Sequence, residues 1–341
     1  MKPRWTVAIT AAAAVLATLN VAIWLAGSSP REILPRLLEG TLGNAYGLGQ
    51  TLAKATPLLW TGGAVALALR ARLFNIGAEG QCLSGALACA VVGAALPAHT
   101  PALLALPLAL LAAALGGAAP GALAGWLRGR FGTHEVLSTL MLNGLLAVLT
   151  TWLYAGPLRV GQQVHTREVV AGARLPMAQG ALSVFRGSAL NASFLLGVAA
   201  LLLMAWYLRE TRGGITLRAL GASPGAAEAL GVDRARATTR AMALSGAMAG
   251  LGGVHFVLGV KGYAEQGVGG GVGFVGIAVA LLGGGHPLGI VLAAALFGML
   301  AQGGLVVNAR VPADVLNLAQ AATILAVGAA AAARLTPRRG A

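Results

Sequence analysis

At 341 residues, 57% hydrophobic and 10% charged, with mean hydropathy +0.79, the chain is too apolar for a soluble domain, in which about 25% of residues are charged. A net charge of +14 would suit nucleic acid in a soluble protein, but here the basic residues are spread through short gaps between apolar runs. They read as topology signals and lipid headgroup contacts, and nucleic-acid binding has no support.

The length accommodates about ten spans of ~20 residues with loops, which makes 1–341 one all-α, polytopic membrane domain. Fifty glycines suit helices that pack backbone to backbone, since lipid supplies no hydrophobic drive for association. Apolar windows fall at 5–26, 46–69, 73–96, 102–126, 133–155, 190–208, 241–260, 267–285, 287–307 and 313–333. The first follows Lys2 and Arg4 and is longer than a signal core of ~7–15 residues, so it reads as an uncleaved signal anchor. Lys54 lies inside the second window.

The third window opens on FNIGAEGQ, residues 74–81. Asn75, Glu79 and Gln81 are polar at membrane depth, where a carboxylate costs roughly 2.5–3.5 kcal/mol on insertion scales unless paired, solvated or functional. Gly77 and Gly80 permit a broken helix there, tolerated only where backbone faces protein or a wet cavity. These three polar residues are expected on the protein-facing side, beside a transport path. Cys82 and Cys89 are seven residues apart on one helix, a rise of roughly 10 Å, too far for a mutual disulfide. They read as packing residues.

Gly117, Gly121 and Gly125, and separately Gly246 and Gly250, recur every four residues and mark close helix contacts. The fifth window carries Glu135, Ser138 and Asn143, which do not share one stripe. Glu135 suits either a helix N-terminus or a place in the path. Two loops exceed simple connections: 156–189 and 209–240. The basic residues at 2, 4, 70, 72, 128, 130, within 209–240 and at 334–339 lie on one side and assign it to the cytoplasm, with both termini; loop 156–189 is then outside. Within the cytoplasmic loop, Ser223 as N-cap, Pro224 at the first helical position and Gly231 as a stop predict a short helix over 224–230. Ala226, Ala227 and Leu230 are expected to be exposed on it for docking another protein. Phe274, Gly276 and the glycine run 267–273 mark a second discontinuous element within 267–285.

Several chemistries fail on spacing. The three lysines, at 2, 54 and 261, precede Pro3, Ala55 and Gly262, so no Walker-type phosphate loop exists. His134-Glu135 meets Ser138 where a zinc helix needs its second histidine, and Ala243 occupies the first glycine position of a nucleophile elbow around Ser245. The five histidines have no ligand spacing, so neither a metal nor another cofactor is expected.

FNIGAEGQ at 74–81, THEVLSTLMLN at 133–143, LRALGASPGAAEALGV at 217–232, SGAMAGLGG at 245–253 and GFVGIAVALLGGGHPLGIVLAAALFG at 273–298 together resemble one family. It is the permease subunit of bacterial ABC importers of the simple-sugar and nucleoside type, within the group that also serves branched-chain amino acids. FNIGAEGQ combined with GIAVALLG looks most like the longer permease of nucleoside importers. Gly144 and the glycines at 283–285 depart from that pattern. The resemblance implies a transport subunit, not an enzyme, in the bacterial inner membrane. It would pair with a second homologous permease, a cytoplasmic ABC ATPase and an extracytoplasmic substrate-binding protein. The path residues would be Asn75, Glu79, Gln81, Ser138, Asn143 and Phe274. The coupling element would include Arg218, Gly221, Ser223, Pro224, Ala227, Leu230 and Gly231. Two rival readings are a secondary transporter with a coupling proton on Glu79 or Glu135, and an assembly protein without cargo.

Overall fold

A computed structural model describes residues 5–312 and, beyond them, positions 315, 318, 320–322, 324 and 325. Among these the chain is helical, with three isolated bridges and no strand. The helices are α1 (Trp5–Leu25), α2 (Pro30–Thr41), α3 (Ala45–Arg70), α4 (Ala78–Ala95), α5 (Ala102–Phe131) and α6 (Glu135–Ala155). They continue as α7 (Ala178–Ala181), α8 (Ser193–Glu210), α9 (Arg212–Ala222), α10 (Pro224–Ala229), α11 (Arg234–Gly252), α12 (Val272–Leu282) and α13 (Pro287–Val307).

Among the described residues, seven elements are long and apolar enough to cross a membrane: α3, α4, α5, α6, α8, α13 and α11, the last counted with its extension to Lys261. The remaining windows divide three ways. Window 5–26 is α1, 267–285 holds only the 11-residue α12, and 313–333 lies largely outside the described residues, as do Lys2 and residues 334–339. At ~1.5 Å per residue α12 rises roughly 16 Å, half of a ~30 Å hydrocarbon core, so it is a half-helix. The non-helical residues before it complete the passage from Gly262, paired with Val169 of loop 156–189, to Gly285, whose carbonyl accepts from Arg70.

α3 is the central element: 83% of its apolar window is buried within the chain, against 17% for α6. Asn44 starts it, its side chain accepting from the Gly47 amide at 2.7 Å. Around α3 the buried core gathers Leu59, Val65, Leu201, Met242, Val279 and Phe297 from α3, α8, α11, α12 and α13. The two glycine series predicted from spacing face one another. A Cβ added at Gly117 of α5 would stand 2.7 Å from the Gly250 Cα of α11, so both positions are occupied by backbone contact.

α2 has no counterpart among the apolar windows. Its charged residues Arg31, Glu32, Arg36 and Glu39 disguise a helix whose Ile33 and Leu37 are buried with Leu19, Ile23 and Val307. Loop 156–189 is ordered by backbone pairing: the Thr166 amide donates to the Ala264 carbonyl at 2.9 Å, and the Leu175 amide to the Leu258 carbonyl at 2.8 Å. α11 continues through a π-helical turn, His255–Lys261, closed by Gly262 at φ 86°.

Candidate functional site

The break between α3 and α4 is held by side chains. Residues 71–77 are non-helical, and Arg72 takes φ 53°. The Asn75 amide donates to Gln81 Oε1 and to Ser245 Oγ, both at 2.7 Å, and accepts from Gln81 Nε2 at 3.1 Å. Ser245 in turn donates to the Ala64 carbonyl at 2.7 Å. All three side chains are buried, so the network joins α3, α4 and α11 with its polar groups matched. From α6, Asn143 clamps the same turn: its Oδ1 accepts from the Gly80 amide and its Nδ2 donates to the Ile76 carbonyl, each at 2.9 Å.

Gly77 and Gly80 do not break the helix by left-handed backbone. Gly77 is right-handed at φ −69°, and Gly80 lies inside α4, where a Cβ would meet Asn143 Oδ1 at 2.8 Å. Their role is close approach.

Glu79 reaches the other discontinuity. Its Oε1 accepts from the Gly271 amide at 3.0 Å and its Oε2 from the Gly273 amide at 2.7 Å. The carboxylate therefore sits on the N-terminus of α12, satisfying free amides and the positive end of the helix dipole. The glycine run makes this turn possible, with φ of 101°, 53° and 91° at Gly269, Gly270 and Gly271. Thr61 fastens the same end, donating to the Val272 carbonyl at 3.0 Å. Glu135 is also engaged, 3.0 Å from Arg128. Among the described residues, Ser138 bonds only carbonyls of its own chain turn, at His134 and Glu135, and the Phe274 side chain is exposed on α12. The structure thus unites Asn75, Gln81, Asn143 and Glu79 around the two breaks; Phe274 joins the second only through its amide, which donates to the Gly271 carbonyl at 3.0 Å, and Ser138 stands apart.

Beside the half-helix is a cavity of about 410 Å³, lined by Gln50, Lys54, His255, Phe256, Gly269 and Gly270 among others. None of the six sequence-predicted path residues lines it. Lys54 is visible in the sequence as a lone cation in an apolar window, but nothing local joins it to His255, which lies 201 positions later. Among the described residues the Lys54 ammonium has no hydrogen bond or ion pair.

In loop 209–240, the Ser223 hydroxyl accepts from the Ala226 amide at 3.4 Å, Pro224 opens α10, and Gly231 follows at φ 84°. α10 ends at Ala229. Ala226 and Leu230 are exposed, but Ala227 is buried, contrary to expectation, because it turns back into the loop. Gly221 is a packing position: a Cβ there would collide with the Arg70 carbonyl oxygen. Arg218 is exposed.

An all-helical, multi-pass membrane protein with a half-helix entering the bundle has the architecture of a transport subunit. The chain belongs to the family described as the permease component of branched-chain amino acid transport systems, whose model matches residues 47–328. It is 35% identical over 307 residues to a guanosine ABC transporter permease of Bacillus subtilis (strain 168), covering 87% of this chain and 85% of that protein. It is 32% identical to a nucleoside ABC transporter permease of Lactococcus lactis subsp. cremoris (strain MG1363), over 84% of this chain and 80% of the other. A glucose ABC transporter permease of Haloferax volcanii is 33% identical over 95% of this chain and 87% of its own. The chain is a transport subunit and not an enzyme.

Proposed function

We propose that the whole chain acts as the membrane permease of an ATP-driven, binding-protein-dependent importer whose cargo is a nucleoside. Similarity over most of its length to two permeases named for guanosine and nucleosides carries the reading. Its partners are a second homologous permease, a cytoplasmic ABC ATPase that meets the loop at Leu230 and Arg218, and an extracytoplasmic binding protein. Both termini face the cytoplasm, as the basic gaps require. The cavity supports the cargo class: no carboxylate lines it among the described residues, so an amino acid could pair its carboxylate with Lys54 but would leave its ammonium group without a counter-ion. A proton-coupled mechanism is disfavoured, because Glu79 holds two backbone amides and Glu135 faces Arg128. The glucose permease relative supports a sugar as the second reading.

The test is reconstitution of the complete transporter in liposomes, with labelled uridine, guanosine, glucose and leucine. ATP-dependent entry of the nucleosides is expected. Entry of glucose alone, or uptake that follows a pH gradient without ATP, refutes the reading.

A further inference from the structure

We propose that the cavity beside α12 is a donor site that selects the carbonyl-bearing edge of an oxo-nucleobase over an amino-bearing one; this rests on the nucleoside reading. Gln50, Lys54 and Leu58 recur at four-residue spacing on α3 and line the cavity as one stripe. The Lys54 ammonium offers three donors and no acceptor.

His255 supplies a second donor, and its neighbours fix which nitrogen carries the proton. Asn191 Oδ1 accepts from the Ser193 amide at 3.0 Å, and its Nδ2 donates to the Ala189 carbonyl at 3.1 Å. That sets the orientation of the Asn191 amide. Its Nδ2 then donates to His255 Nδ1, also at 3.1 Å, so Nδ1 is an acceptor and Nε2 bears the hydrogen. Nε2 has no partner among the described residues, on a ring that lines the cavity.

Phe256 completes the site. Its ring centroid is 5.2 Å from that of His255, and it offers an apolar face beside the two donors. A planar base can rest there with an exocyclic oxygen and a ring nitrogen toward Lys54 and His255. An exocyclic amino group in the same place would set donor against donor. Lysine paired with the oxygen and ring nitrogen of guanine is a recurrent recognition contact. A nucleotide fits poorly, because its phosphate would bring nearly two charges to a single lysine.

Inosine and adenosine differ at this edge, so they form the probe pair. Initial uptake rates are measured in liposomes holding the complete transporter, with binding protein saturated separately by each nucleoside. The wild type should favour inosine by about tenfold. Lys54→Met, which keeps the length of the stem, should bring the ratio near one, and Lys54→Arg should retain it. ATPase co-purification monitors assembly, and Lys54→Gln replaces the Met variant if that one does not assemble. Equal wild-type rates, or an unchanged ratio in the assembled Met or Gln variant, overturn the proposal. Preferred entry of inosine monophosphate overturns it in favour of an anion site. Failure of both nucleosides to enter, with glucose entering, overturns the nucleoside reading itself.

Discussion

Glu79→Gln distinguishes a carboxylate that builds the fold from one that carries protons or cargo. The carboxylate accepts from two amides at the start of α12, at 3.0 and 2.7 Å. Glutamine keeps one acceptor oxygen but presents an NH₂ group to the second amide, so one charged bond is weakened and the other becomes a donor facing a donor. A hydrogen bond to a charged group contributes about 1.5–3 kcal/mol, and the half-helix loses part of its dipole partner as well. A net loss of about 2–3 kcal/mol raises local opening of the α12 N-terminus by about 30- to 140-fold, at 1.4 kcal/mol per tenfold. Hydrogen exchange by mass spectrometry over residues 265–280 of the purified transporter reads this directly. Protection should fall by that factor in Glu79→Gln, and transport should fall with it. Unchanged protection with lost transport would refute the structural role and return Glu79 to the path.

Two further outcomes concern the ends of the bundle. Leu230→Asp changes an exposed side chain, so stability should move by less than about 0.5 kcal/mol, while ATP-dependent uptake falls at least tenfold; intact uptake and intact ATPase co-purification would remove Leu230 from the coupling contact. A cysteine placed at the exposed Gln162 should react with a membrane-impermeant thiol reagent in intact cells, and reaction only after lysis would reverse the assigned orientation.

The breaks at 74–81 and 267–285 are legible in the sequence because polar residues and glycine runs are costly in lipid and therefore informative. The partners that resolve them are not. Asn75 meets Ser245 across 170 positions and Glu79 meets Gly273 across 194, and no local pattern encodes such pairings. The same limit explains Ala227: a capped six-residue helix follows from Ser223 and Pro224, but which of its small residues faces the loop depends on tertiary packing. α2 escapes because its buried stripe is short and its charges dominate the window. Lys54 stands out in its window, yet only the fold places it beside His255.

Polar groups inside this bundle fall into two physical classes. Asn75, Gln81, Ser245, Asn143 and Glu79 have their hydrogen-bonding capacity spent on one another or on backbone, so they stabilise irregular backbone where lipid would forbid it. Lys54 and the Nε2 of His255 have no partner among the described residues, and a polar group kept in a membrane protein without one is costly. The first class explains how a half-helix can stand in the middle of the protein. The second marks where that protein has capacity left for a ligand, beside the same half-helix.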